Sequence, residues 1–247
     1  MTNPSKLTVS VVIPAYNEAK RLPRTLRRFW RTAQKLNLPI IEYLIVDDGS
    51  TDQTHAVIDR LRHHKRGVKI IRLPQNLGKG GAVKAGALAA RGDLIIILDA
   101  DGSAEIKELP AMITALQKKS IVIGSRYVAG SQIVHRQPWS RRLISRGGNW
   151  LIRHLLLPDI HDTQCGCKLM TRAAAQELFP LLKRSGFSYD VELLVLANHH
   201  GYQIIEQPIT WSHASGTSLH ASVDSWHFLK DVWQMSREYR LKADKLL

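Results

Sequence analysis

The stretch LIIILDADG, Leu94 to Gly102, decides the fold. Five consecutive aliphatic residues are too few for a globular helix, and a short apolar run of this kind reads as a strand buried on both faces. Strands buried on both faces belong to parallel sheets covered by helices. Leu94 to Leu98 then stop at two carboxylates, Asp99 and Asp101, which an apolar strand has no reason of its own to carry. Working outward, β-branched runs at Thr8 to Ile13, Ile40 to Val46, Val68 to Leu73, Asp93 to Leu98 and Ser120 to Gly124 predict strands. Helical periodicity falls between them, near Lys20 to Leu36, Asp52 to His63, Gly80 to Arg91 and Glu105 to Lys118. Strand alternating with helix predicts an α/β fold with a mostly parallel sheet flanked by helices. In such sheets ligands bind beyond the carboxyl ends of the strands, where Asp47-Asp48 and Asp99-Ala100-Asp101 both fall. After Gly166 the pattern becomes a helix near Ala173 to Leu182, another near Asp190 to His200, a strand from Gln203 to Trp211 and a last helix from Asp224 toward Lys242.

The chain has 247 residues, 35 Lys+Arg against 21 Asp+Glu, a net charge of +14 and 44% hydrophobic residues. That composition excludes a disordered tail, and the length suits one α/β domain with an appendage. No apolar run reaches the roughly 18 to 20 residues of a membrane span, and MTNPSKLTVSVVIP lacks a signal-peptide core, so a cytosolic protein is expected. Two cysteines, Cys165 and Cys167, are too few and too close for a disulfide scaffold and read as small buried hydrophobes. The basic excess draws phosphates, whether of nucleic acid, a nucleotide or an anionic lipid surface. Tyr127 to Pro158 contains no acid, while Arg136, Arg141, Arg142, Arg146 and Arg153 alternate with Trp139, Leu143, Ile144, Trp150, Leu151 and Ile152. This predicts a basic amphipathic helix pair broken at Gly147-Gly148, or else an ordinary core helix with a basic outer face. Near the C-terminus Trp226, Leu229 and Trp233 recur at helical spacing beside Lys230, Arg237, Arg240 and Lys242, a second amphipathic candidate.

Two carboxylates at i and i+2 just past a strand can turn toward one hard cation, Mg²⁺ or Mn²⁺, completed by substrate phosphates. They can equally shape a turn and cap the helix near Glu105. Asp47-Asp48-Gly49-Ser50-Thr51-Asp52 suits hydrogen bonds from a base or ribose, and equally a strand-to-helix turn with Ser50 or Thr51 as N-cap. Asn76-Leu77-Gly78-Lys79-Gly80-Gly81-Ala82 opens a helix but is not a P-loop, and Val83 breaks the dinucleotide fingerprint. Hydride transfer and P-loop phosphoryl transfer lose support.

Taken in order, VSVVIPAYNE (Val9 to Glu18), VDDGSTD (Val46 to Asp52), NLGKGGA (Asn76 to Ala82), DADG (Asp99 to Gly102) and GSR (Gly124 to Arg126) resemble the inverting family 2 glycosyltransferases of GT-A, Rossmann-like fold. DTQCGCKLMTR (Asp162 to Arg172), FSYDVELL (Phe187 to Leu194) and QPITW (Gln207 to Trp211) are similar to the dolichyl- and polyprenyl-phosphate sugar transferases, especially the dolichyl-phosphate β-glucosyltransferases. The resemblance covers about Val9 to Asp224. It implies donor binding by Pro14, Tyr16, Glu18, Asp47, Asp48, Lys79, Asp99, Ala100, Asp101 and Arg126, with Asp99 and Asp101 holding the metal. It implies an acceptor-phosphate site at Arg126, Gln164 and Lys168, and catalytic parts for Asp101, Arg126, Lys168 and Asp190. Ser103 stands where mannosyl members carry Gln, which turns the expectation toward UDP-glucose over GDP-mannose. The late G-S-K signature appears as Gly216-Thr217-Ser218 without its lysine, with His213 and His220 as the nearby candidates for that place.

The expected reaction is inverting transfer of glucose to a polyprenyl phosphate, a precursor for N-glycosylation or a cell-envelope glycan, by a peripheral protein on the cytosolic membrane face. A phosphate acceptor is already anionic near neutral pH, so it needs neutralised repulsion more than a strong base. Asp190 and Glu192 are then expected to position groups, or to pair with arginines on a helix surface. The alternatives are a GDP-mannose enzyme, a soluble transferase with a hydroxyl acceptor and a base at Asp190 or Asp162, and a basic nucleic-acid binder, for which no recognition module is present. Residues 1–223 are expected to form the transferase domain, with a membrane-facing insertion at about 131–160, and 224–247 the C-terminal amphipathic helix.

Overall fold

The computed structural model describes residues 7–64, 67–135, 139–212 and 221–243. In chain order the elements are β1 (Val9–Ala15), α1 (Leu22–Lys35), β2 (Ile40–Asp47), α2 (Thr54–His64), β3 (Val68–Arg72), α3 (Lys79–Ala89), β4 (Leu94–Ile97), α4 (Leu109–Ala115), β5 (Ser120–Ser125), β6 (Gln132–His135), α5 (Trp139–Leu155), β7 (Lys168–Thr171), α6 (Arg172–Leu178), α7 (Tyr189–His199), β8 (Gln203–Pro208), β9 (Thr210–Ser212) and α8 (Ala221–Ala243). Seven strands make one sheet in the order β3-β2-β1-β4-β7-β5-β8. Every neighbouring pair is parallel except those of β7, which runs antiparallel to both β4 and β5. β6 and β9 pair in a separate two-stranded sheet.

The period of two along β1 divides the core. Val9, Val11 and Ile13 pack with Leu22, Leu26 and Phe29 of α1, Ile58 of α2 and Met112 of α4 on one face. Val12 packs on the other face with Ala82, Val83 and Ala87 of α3, Leu178 of α6, Leu194 of α7 and Met235 of α8. α1 forms because Leu22, Leu26, Phe29, Trp30 and Ala33 recur at helical spacing, and Pro23 suits its first turn. α3 lies unusually close to the sheet, since a Cβ on Gly86 would meet Val12 Cγ1 at 2.5 Å and Val46 Cγ2 at 2.9 Å. α8 belongs to the same body: Val232, Met235 and Tyr239 are buried in the core.

Several sequence expectations need correction. α5 is one helix running through Gly147-Gly148, not a broken pair. Glycine in a helix costs only about 1 kcal/mol, and Gly148 faces Phe228 of α8, where packing outweighs that cost. The Gln203 to Trp211 strand is two strands in different sheets, parted at Ile209 after Pro208. The helix expected over Glu105 to Lys118 is a 3₁₀ turn at Ile106–Glu108 followed by the short α4. The helix expected to Leu182 ends at Leu178 and continues as a 3₁₀ turn with Pro180 in it. The last helix begins at Ala221. No helix among the described residues is long and apolar enough to cross a membrane.

Candidate active site

The carboxyl ends of β1, β2 and β4 lie side by side, and β7, because it is reversed, begins at the same rim: its first residue, Lys168, is in register with Ile97 of β4 and Ile123 of β5. The loops after β1 and β2 are stitched by Asn17, which takes a left-handed φ of 55°. Its side-chain oxygen accepts from the Thr51 and Asp52 amides at 2.9 and 3.2 Å, and its own amide donates to Ser50 Oγ at 3.1 Å. The amide of Glu18 donates to Thr54 Oγ1 at 2.8 Å, and Arg21 pairs with the Glu18 carboxylate. An open cleft of about 550 Å³ runs beside this seam, lined by Asn17 to Arg21, Asp52 and Gln53. The expected N-cap is displaced: α2 starts at Thr54, and the Asp52 carboxylate accepts from its amide at 2.8 Å.

Asp47 accepts from the Ser50 amide at 3.1 Å, and Asp48 from the Leu77 amide at 2.8 Å. Asp48 therefore tethers the NLGKGG loop to β2. That loop is held on its other side by residues 184–189. Gly78 has φ +86° with the Ser185 carbonyl 2.6 Å from where a Cβ would stand, and the Gly81 amide donates to the same carbonyl at 3.1 Å. Pro14 is buried and Tyr16 half-buried at the end of β1.

Asp99 and Asp101 lie at the end of β4, with Ala100 buried between them. Burial, then the charge of Asp99, pushes the Asp101 carboxyl above its ordinary value. Burial does the same to Glu18, with Asp101 and Asp99 adding to it, against the pull of Arg21. Three carboxylates thus repel one another across the junction of β1 and β4, an arrangement that a divalent cation relieves. Two carboxylates at the end of one strand fit such an ion if phosphate oxygens complete its ligands; no cluster of three or more His, Cys, Asp or Glu ligands occurs among the described residues. Ser103, at the place of the mannosyl Gln, donates its amide to Asp101 at 2.8 Å, so Asp101 also shapes the turn. Arg28 of α1 donates to the Gly102 carbonyl and pins the same turn.

Lys79 extends from the start of α3 to Asp99 at 2.8 Å and stands 3.7 Å from Asp190. Lys168, fully buried, pairs with Asp190 and donates to the Cys165 carbonyl at 2.6 Å. Gly166 presses on Asp99 from the other side, a contact that sequence reading missed. Arg126 is largely buried. Its backbone amide, Nε and Nη2 all donate to Asp162, at 2.9, 2.7 and 2.8 Å, and its guanidinium lies 5.4 Å from the rings of Tyr127 and of Trp211. Asp162 holds that guanidinium above its ordinary pKa although burial opposes it. Arg126 and Lys168, expected to face phosphate, are thus each engaged with a carboxylate; Gln164 is half-buried between them in sequence.

Asp190 and Glu192 are buried, not on a helix surface. Glu192 accepts from the Lys183 and Arg184 amides at 3.0 and 2.8 Å and from Arg184 Nη1 at 2.7 Å, while Arg184 also reaches Glu238 of α8 at 3.0 Å. Burial pushes Cys165 to about 12 and leaves its thiol inert. Arg136, His213, Gly216-Thr217-Ser218 and His220 lie outside the described residues, as do the side chains of Arg141, Arg142 and Trp226.

Comparison with known proteins gives the family and the fold. The sequence model of glycosyl transferase family 2 matches residues 10–179. The chain is 34% identical over 250 residues to a dolichyl-phosphate β-glucosyltransferase of Dictyostelium discoideum, covering 96% of this chain and 76% of that one. It is 34% identical to the Homo sapiens dolichyl-phosphate β-glucosyltransferase, over 90% of this chain and 72% of that one. Glucosyl-3-phosphoglycerate synthase from Mycobacterium tuberculosis, solved with Mn²⁺ and UDP-glucose, superposes with a TM-score of 0.68 at 18% identity, covering 92% of this chain and 79% of that one, a likeness of GT-A fold. A chain with this sheet, this carboxylate pair at the end of β4 and relatives of this identity over most of its length belongs to glycosyl transferase family 2.

Proposed function

We propose that this transferase moves glucose from UDP-glucose, with inversion, onto the phosphate of dolichyl phosphate or another polyprenyl phosphate, working peripherally on the cytosolic face of a membrane. The observation that carries the reading is the state of its two candidate bases. Asp190 is ion-paired with Lys168 and Lys79, and Asp162 with Arg126. A hydroxyl acceptor needs a free carboxylate to take its proton, whereas a phosphate monoester brings its own anionic oxygen near neutral pH. The relatives named for dolichyl phosphate and glucose support the same acceptor and sugar.

The residues divide the work by position. In this reading the base and ribose would lie against Glu18, Asp47 and Asp48, at the ends of β1 and β2, with Pro14 and Tyr16 beside them. Asp99 and Asp101 would hold a divalent ion, Mg²⁺ or Mn²⁺, which when bound neutralises the departing diphosphate. Lys79 stands ready beside them with its ammonium 2.8 Å from Asp99. Asp190 and Asp162 orient Lys79, Lys168 and Arg126, so that positive charge stands fixed beside the phosphates without reorganising during transfer.

A lipid acceptor places the site at a bilayer. Trp150 of α5 and Trp233 of α8 are 66% and 55% exposed, the two helices touch, and Arg237 stacks on Trp233. Exposed tryptophan beside arginine suits an anionic lipid interface, and the net charge of +14 agrees with it. Calorimetric titration with UDP and with GDP in Mg²⁺ tests the donor: tighter UDP binding is expected, and tighter GDP binding would favour the mannosyl reading.

A further inference from the structure

Lys79 is placed as no ordinary surface lysine is. It opens α3 behind Gly78, its side chain is 16% exposed, and its ammonium lies 2.8 Å from Asp99 Oδ1, 3.7 Å from Asp190 Oδ2 and 5.9 Å from the centre of the Tyr189 ring. The position is tightly built. A Cβ on Gly80, the next residue, would stand 2.5 Å from Tyr189 Cβ, and Gly166 closes the far side of Asp99.

We propose that Lys79 is a built-in counter-ion for Asp99, which occupies that carboxylate until a nucleotide diphosphate arrives and so makes divalent-metal binding depend on the nucleotide. The inference rests on the reading of Asp99 and Asp101 as metal ligands. The contacts support it. The Asp99 oxygen that an ion would use is already paired with the Lys79 ammonium at 2.8 Å, so an ion arriving alone has to compete with an ammonium in contact and finds only carboxylate ligands to hold it. A diphosphate changes both terms, because it offers Lys79 a new anionic partner and adds oxygen ligands to the ion. The coupling is reciprocal, so metal must strengthen nucleotide binding by the same factor.

Mn²⁺ binding followed by electron paramagnetic resonance, with and without UDP, reads this without any turnover. Lys79→Gln should bind Mn²⁺ alone at least about tenfold more tightly than the wild type, and Mn²⁺ alone should raise the variant's Tm but not that of the wild type. Lys79→Arg, which keeps the charge, should behave as the wild type does. Should Lys79→Gln fold poorly, Lys79→Met keeps the apolar stem over Tyr189 and carries the same expectation. Equal Mn²⁺ affinity in wild type and uncharged variants overturns the proposal. Asp101→Asn separates the two readings: if wild type with UDP binds Mn²⁺ and Asp101→Asn does not, the metal site stands whatever Lys79 does. If neither binds, the metal reading falls and this inference with it.

Discussion

Gly166 packs directly on the carboxylate of Asp99: a Cβ at residue 166 would stand 1.9 Å from Asp99 Oδ2 and 2.3 Å from its Cγ. The loop that leads into β7 is therefore part of the wall that aims the first carboxylate of the D-x-D pair. Even one methyl group has no room there. Gly166→Ala should lower turnover by about 100-fold or more, since a carboxylate moved by an ångström no longer meets its ion. Far-ultraviolet circular dichroism should stay unchanged. A variant that retained near-normal turnover would show that Asp99 does not act where it stands.

Asp101 is held at a cost to the empty protein, because burial and Asp99 raise its pKa. A carboxyl whose folded pKa is raised weakens the fold at neutral pH and ceases to do so as pH falls through that raised value. Asp101→Asn should thus raise Tm by about 2 to 4 °C near pH 7 while lowering turnover about 100-fold or more, and chelation of divalent ions should silence the wild type. Full activity in EDTA would remove the metal from the account.

Arg126 and Asp162 should behave as one structural unit. Removing either partner leaves the other charge buried, so Arg126→Ala and Asp162→Ala should each cost about 3 to 5 kcal/mol. The double variant should cost clearly less than their sum. Strict additivity in urea denaturation would mean that the pair is not formed in solution.

Far from the site, buried Glu42 accepts from Lys69 Nζ at 2.6 Å, Ser10 Oγ at 2.6 Å and the Arg91 amide at 2.7 Å. Burial pushes its pKa up, but these three donors, Lys69 foremost, bring it below the ordinary 4.5. A depressed carboxyl stabilises the fold above its unfolded value and loses that contribution as pH falls through the lower, folded value. Glu42→Gln should therefore cost about 1 to 2 kcal/mol at pH 7, and the gap from wild type should shrink below pH 4.5. A gap that stayed constant with pH would contradict the assignment.

Trp150 and Trp233 should carry membrane binding together with the basic residues around them. Co-sedimentation with anionic vesicles should be strong at low salt, weaken at about 0.5 M NaCl and drop about tenfold or more in the Trp150→Ala, Trp233→Ala double variant. Absence of binding at low salt would leave the peripheral reading without support.

The parallel part of the sheet was readable because its strands are uninterrupted apolar runs, Val9 to Ile13 and Leu94 to Leu98 above all, with helical periods between them. Asp99 and Asp101 were readable because carboxylates at the end of such a run have no packing purpose. β7 was not readable, since Lys168 to Thr171 is four residues long and starts with a charge, so neither length nor alternation marks it. Its buried lysine pairs with Asp190, 22 residues away, and no local pattern reports a contact of that range. Gly147-Gly148 read as a break because the packing of α8 on α5 is likewise invisible in the local sequence. Asn17 carried a faint signal as an Asn in a turn, a residue that tolerates the left-handed conformation.

The most direct test follows the label from UDP-[¹⁴C]glucose, in Mg²⁺ and detergent, into three acceptors offered in parallel: dolichyl phosphate, dolichol without its phosphate, and a soluble sugar. The account predicts label in the organic phase with dolichyl phosphate alone, as a glucosyl phosphodiester that mild acid releases. Equal transfer to dolichol or to the soluble sugar would contradict it, because an acceptor without a phosphate would then have found a base that neither Asp190 nor Asp162 is free to supply.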